Sequence, residues 1–154
     1  SYIFCFNSIF WSLLKILPEF KFDLDWAGTA TPLMSINNST KKILCEKKQP
    51  RNKIVALSSS IKPSDIILNK LKEYNVTSIV KMASSYKFCV IATGEYDIYA
   101  ARERANEWDY AAGHAVAQNA GAIIKTLDEK PFLYGKEDYK NPSLLIKRSK
   151  NLND

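Results

Sequence analysis

Between Trp108 and Gly121 the chain reads W-D-Y-A-A-G-H-A-V-A-Q-N-A-G, the stretch that most restricts its fold. Ala111, Ala112, Gly113, Ala115 and Ala117 leave little side-chain bulk. A helix over 108–120 therefore invites another element to approach its backbone closely. Glycine inside a helix costs about 1 kcal/mol relative to alanine, so tight packing at Gly113 is expected to offset that cost. Gly121 supplies the helix stop. Such a helix buries little by itself and implies a layered partner.

The flanking sequence supplies the layers. Ile54–Leu57 reads as a short buried strand ending in Ser58-Ser59-Ser60. Pro63 suits a first helical turn, and a helix follows over Ser64–Tyr74 with apolar residues at 66, 67 and 71. Val76–Met82 reads as a second strand. A helix capped by Ser84 or Ser85 runs to about Thr93 and stops at Gly94. Glu95–Tyr99 is a third strand, 100–107 a polar loop, Ala122–Lys125 a fourth strand and Ser143–Ile146 a final one. The fold class expected is α/β, a mixed sheet flanked by helices.

Composition narrows the class further. Of 154 residues, 46% are hydrophobic and 25% charged, which excludes a disordered chain or a rod. Three cysteines, Cys5, Cys45 and Cys89, are too few and scattered for a disulfide framework or zinc knuckle, so a reducing, cytoplasmic setting is expected. The net charge of +6 is local: residues 1–40 carry −1, residues 41–81 carry +7 and residues 82–154 balance. The basic block is either a solvated lysine face or an attractor of polyanions. No aromatic residue lies between Lys41 and Tyr74, which argues against a nucleic-acid groove.

Residues 1–40 differ in character and are expected to form an irregular apolar segment ahead of an α/β domain at 41–154. The run Y-I-F-C-F-N-S-I-F-W-S-L-L-K-I-L at 2–17 is shorter than the roughly 20 apolar residues of a membrane-spanning helix, and Asn7, Ser8, Ser12 and Lys15 interrupt it. No membrane span is expected. The run reads as core sequence, a strand at Tyr2–Phe6 and a helix to Leu17, with Phe4, Phe6, Phe10 and Trp11 covering an apolar face or forming a dimer patch. Residues 18–50 read as loops with short strands.

Two places carry chemistry. Asp109 falls in the first turn of the 108–120 helix, where a carboxylate is stabilised by the helix dipole. It is either an ordinary helix-start acid or a carboxylate that points past the helix end to a metal. Ser84, Ser85 and Lys87 stand at the start of another helix, where hydroxyls, backbone N–H groups and a lysine make an anion site. The alternative is a serine cap beside a surface lysine. His114, the only histidine, fits packing beside the alanines.

The strings SSYKFCVIATGEYDIYA and NEWDYAAGHAVAQNAGAIIKTLDEKPFLYGKEDYKNPSLLI resemble the carboxy-terminal domain of the inositol monophosphatase-like superfamily. Within it they are most similar to the bacterial 3′(2′),5′-bisphosphate nucleotidase (CysQ-type) branch of sulfate assimilation. The resemblance is dense over residues 53–147. It implies the carboxy-terminal α/β half of a layered sugar-phosphatase fold. It also implies Mg²⁺-dependent hydrolysis of a phosphomonoester, the 3′-phosphate of adenosine 3′,5′-bisphosphate. The implied metal ligand is Asp109, and the implied substrate contacts are Ser84, Ser85 and Lys87.

The departures from that pattern shape the functional expectation. The family's D-P-x-D-G-T motif and upstream acidic pair, which carry its other metal ligands, do not occur in this sequence. The arginine of its Y-P-R-F-G string corresponds to Ala101, and its S-R-S-H string to Ser58, Ser59, Ser60 and Ile61. The chain starts at Ser1. The expectation is a truncated homologue, inactive or weakly active by itself. The open alternatives are a non-catalytic nucleotide- or anion-binding or assembly protein, and a half-enzyme completed by a separate first-half chain or by a homodimer.

Overall fold

The computed structural model describes residues 20–24, 30–36, 39–45 and 52–152. The strand and helix expected within 2–17 lie outside the described residues, as does Cys5. Three antiparallel strands come first: β1 (Phe20–Leu24), β2 (Ala30–Ile36) and β3 (Ser39–Lys42), in the order β1-β2-β3. β2 is a seven-residue strand that contains Pro32. β3 pairs with Leu33–Ile36, so among the described residues no strand pairs with Pro32 on that side of β2. A residue that lacks an N–H can be accommodated there.

The second sheet is built from β4 (Ile54–Ser58), β5 (Val76–Lys81), β6 (Ile98–Ala101), β7 (Ile123–Lys125) and β8 (Leu144–Lys147), in the order β5-β4-β6-β8-β7. β5, β4 and β6 are mutually parallel, whereas β8 runs antiparallel to both β6 and β7. Three helices connect them: α1 (Asp65–Lys72), α2 (Tyr86–Ala92) and α3 (Glu107–Asn119).

Successive residues of a strand point to opposite faces, and the core divides accordingly. Ile54, Ala56, Ile98, Ala100 and Leu145 pack with Ile67 and Leu71 of α1. Leu57, Tyr99, Ala101, Leu144 and Ile146 pack with α2 and α3 on the other face. Three residues past β3, the Cys45 amide donates to the carbonyl of Ala120, just after α3, at 2.9 Å and ties the first sheet to that helix. Edge strand β5 is exposed along nearly its whole length.

Two boundaries differ from the sequence expectation, each for a local reason. The third strand begins at Ile98, not Glu95. The Glu95 and Tyr96 amides instead bond the Val90 carbonyl beyond the end of α2, at 3.0 and 3.3 Å. It then continues through Ala101, because Ala100 and Ala101 pair with Leu145 and Leu144. The close approach expected at Gly113 is present. A Cβ added there would lie 2.8 Å from Cγ of Phe88, so the missing side chain is what lets α2 sit on α3.

Candidate functional site

Ligand sites in open α/β sheets form beyond the carboxyl ends of parallel strands. Here that edge is made by Ser59 and Ser60 after β4, Met82–Ser85 after β5, and residues 102–106 after β6. The residue that joins these segments is Tyr99, 2% exposed near the end of β6. Its hydroxyl lies 3.1 Å from Ser59 Oγ. Its ring lies 4.9 Å from the Lys87 ammonium. Tyr110, the residue after Asp109, has its phenol raised by burial and, next, by the neighbouring Tyr99. Ser59, Lys87 and the first turn of α3 thus converge on one buried phenol.

The Met82–Ser85 turn has an unusual backbone. Ser84 sits at φ 69°, a left-handed conformation costing a non-glycine residue on the order of 1–3 kcal/mol. Ser85 occupies the N-cap position of α2, but its side chain makes no cap hydrogen bond. The nearest approach is Ser84 Oγ, 3.5 Å from the Tyr86 amide. Ser85 therefore supplies no cap, and Ser84 Oγ accepts the Tyr86 amide only at this long distance. With seven residues, α2 also has little dipole to offer.

Lys87 is buried. Its ammonium donates to the Ser84 carbonyl at 2.6 Å and to the Met82 carbonyl at 3.2 Å. Burial pushes the ammonium down to about 8, and the positive field of Arg104 acts in the same direction. Arg104 belongs to the loop that follows β6, three residues beyond Ala101. Its positive charge acts on both Lys87 and Tyr110, pulling each downward.

Asp109 is exposed, at the third position of α3. One carboxylate oxygen accepts the Asn106 amide at 2.9 Å, closing the first turn of the helix. The other expected role, metal ligation, needs partners. Among the described residues no three His, Cys, Asp or Glu side chains form a metal-binding group. Magnesium is usually held by one or two carboxylates together with substrate phosphates. Asp109, with one oxygen engaged, is not by itself a fitting donor set for the Mg²⁺ that the resemblance implies.

The structure thus places Ser84, Ser85 and Lys87 on one turn and brings Asp109 to it indirectly, through Tyr110 and Tyr99. Tyr99 and Arg104 escaped the sequence reading. A tyrosine closing a strand on its way to a polar loop was the available signal for Tyr99, because a buried phenol seeks a polar partner for its hydroxyl. Nothing local marked Arg104.

Other expectations concern the surroundings. His114 is buried, with Nδ1 2.8 Å from the Tyr134 hydroxyl, and burial lowers it to about 4. Cys45 and Cys89 are buried thiols, not a bridge. Part of the basic block is neutralised locally, since Lys70 pairs with Glu73 at 2.8 Å and with Glu129 at 3.5 Å. Among the described residues no helix is long and apolar enough to cross a membrane.

Comparison with known proteins gives a consistent result. The chain is 38% identical over 81 residues to a protein from the pss 5′ region of Rhizobium leguminosarum bv. phaseoli, covering 49% of this chain and 85% of that one. It is 36% identical over 106 residues to 3′(2′),5′-bisphosphate nucleotidase CysQ of Shigella flexneri, covering 67% of this chain but 42% of the relative. Among solved structures, CysQ of Bacteroides thetaiotaomicron superposes with a TM-score of 0.60 at 25% identity, over 77% of this chain and 49% of that one. Inositol monophosphatase from Anabaena shares the fold, with a TM-score of 0.54 at 14% identity, over 80% of this chain and 52% of that one. The chain therefore spans about half the length of these solved structures. A model of the inositol monophosphatase family matches residues 30–153, most of the sequence, and the chain belongs to that family.

Proposed function

We propose that these residues form the substrate-facing half of a phosphomonoester hydrolase of the bisphosphate nucleotidase type. The substrate class is a small phosphorylated nucleotide such as adenosine 3′,5′-bisphosphate, and the metal is Mg²⁺. Taken alone, the residues hydrolyse it weakly or not at all. The observation that carries this reading is the convergence of Ser59, Lys87 and the Asp109 turn on Tyr99 at the carboxyl edge of the sheet.

In this reading the Ser84 and Ser85 hydroxyls donate to phosphate oxygens. Lys87 and Arg104 supply positive charge close behind them. Asp109 offers its remaining carboxylate oxygen toward a cation. Metals in such enzymes activate a water and neutralise the leaving oxygen. That chemistry needs more carboxylates than Asp109, which is why hydrolysis by these residues alone is expected to be slight. Similarity to the nucleotidases over 67% of the chain supports the substrate class.

Phosphate release from adenosine 3′,5′-bisphosphate with Mg²⁺ tests the reading. The purified chain is expected to stay at the blank. Turnover that disappears in Asp109→Asn would show a complete site and overturn the expectation of weak activity. Binding is expected at about millimolar strength, or about 4 kcal/mol, with chemical-shift changes at Ser84 and Ser85. Changes confined to residues 41–81 would instead make the chain an anion-binding module.

A further inference from the structure

The proposed reading treats Lys87 as positive charge near the phosphate, yet its ammonium is turned inward. It lies on the Ser84 and Met82 carbonyls at 2.6 and 3.2 Å and over the Tyr99 ring at 4.9 Å. Three of the directions in which an ammonium can be engaged are taken by the protein itself. The residue is 4% exposed, so little of it remains for a ligand to touch.

One of those two carbonyls belongs to the residue with the strained backbone. Ser84 is held at φ 69°, a region that glycine enters freely and serine does not. Ser85 makes no cap bond and Ser84 Oγ accepts the Tyr86 amide only at 3.5 Å, so side-chain capping holds the turn weakly. The charge-assisted bond to the Ser84 carbonyl and its companion to Met82 bracket the turn from inside. The hydroxyls are left on the outer side: Ser84 is exposed and Ser85 half-buried.

We infer that Lys87 is a positioning residue: it fixes the Met82–Ser85 turn in its left-handed form from beneath, so that the Ser84 and Ser85 hydroxyls meet the substrate phosphate. This inference rests on the reading of Ser84 and Ser85 as phosphate contacts, but its structural half can be tested without ligand.

The test is a double-mutant cycle between Lys87→Met and Ser84→Gly, followed by the backbone amide signals of Ser85 and Tyr86 and by titration with adenosine 3′,5′-bisphosphate. Glycine adopts the left-handed conformation without help, so it should make the clamp dispensable. In the wild-type background Lys87→Met is expected to move the two amide signals and weaken binding about tenfold. In the Ser84→Gly background the same change should move them little and weaken binding less than about threefold. Circular dichroism checks that each variant is folded.

An equal loss of binding in both backgrounds, with the Ser85 and Tyr86 signals unmoved by Lys87→Met, would mean that Lys87 touches the nucleotide directly and would overturn the inference. If wild type binds no nucleotide, the proposed function fails instead. The amide signals alone then decide: a shift on Lys87→Met that Ser84→Gly abolishes supports the clamp, and no shift removes it. If Lys87→Met does not fold, Lys87→Gln replaces it in the same cycle with the same outcomes.

Discussion

At the end of the sheet where β4 and β6 begin, Asp97 and Arg148 are both buried and bonded to each other. Asp97 also accepts the Val55 amide at 2.8 Å, and the backbones of the two residues bond at 2.9 Å. At the other end, where the same strands finish, Asp109 is exposed with one oxygen engaged, and Ser84 holds a strained backbone. The same sheet thus carries one end whose charges face each other and another whose polar groups face outward. Buried charge is tolerated only when it is paired and hydrogen-bonded, so the first end is built for stability. The second leaves polar groups exposed, as the proposed binding edge requires.

The contrast can be broken by mutation. The largest effect is expected from Asp97→Asn, which leaves Arg148 buried without its counter-charge. Breaking a buried pair on one side costs roughly 3–5 kcal/mol, read as a shift of the urea midpoint. A loss below 1 kcal/mol would mean that water or neighbours relieve Arg148, and the ends would be less different than they look.

Acid titration sharpens the comparison by isolating a group that belongs to neither end. His114 is lowered to about 4 by burial against an ordinary value of 6.5. The unfolded chain therefore takes up a proton before the folded one does. Stability from His114 is fully present above pH 6.5, falls as pH drops toward 4 and is flat below. The span is about 3 kcal/mol, from 1.36 kcal/mol per unit. Urea unfolding between pH 4 and 7 should show that slope in the wild type and a much flatter one in His114→Gln. An unchanged slope in the variant would place the acid sensitivity in carboxylates elsewhere.

The smallest effect is expected at the open end. Asp109→Ala removes the acceptor for the Asn106 amide, and a capping contact of this kind contributes roughly 0.3–1.5 kcal/mol. Asp109→Asn, which keeps an acceptor oxygen, should cost less. A loss as large as that of Asp97→Asn in thermal melts would make Asp109 a structural residue like its counterpart and erase the distinction.

Much of this was readable along the chain. The α/β order of elements from Ile54 onward follows from short apolar runs separated by serine, proline and glycine signals, and the helix over α3 follows from its small residues. Gly113 announced a close neighbour, although only the fold named Phe88. Within the site, Ser84, Ser85, Lys87 and Asp109 stood out by their strings, but how they are arranged did not. Ser85 makes no cap bond, Ser84 makes only a long one, and Ser84 turns left-handed, a backbone choice that no residue type at that position predicts. Strand β6 slid toward Ala101 because the amides of Glu95 and Tyr96 were claimed by α2.

The sequence by itself determined the periodicities, the breaks and the residue types, which are local properties of a chain and fix the class of fold and the family. Only the tertiary structure decided that Tyr99 would gather Ser59, Lys87 and Tyr110, that the charge of Arg104 would act on Lys87 and Tyr110, and that Lys87 would face inward. Those outcomes depend on which segments the fold brings together, as with Ser59 just past β4 and Tyr99 on the neighbouring parallel strand β6. Their energies come from burial and from which carbonyl or ring is nearest once the sheet has closed, and spacing along the chain does not encode either.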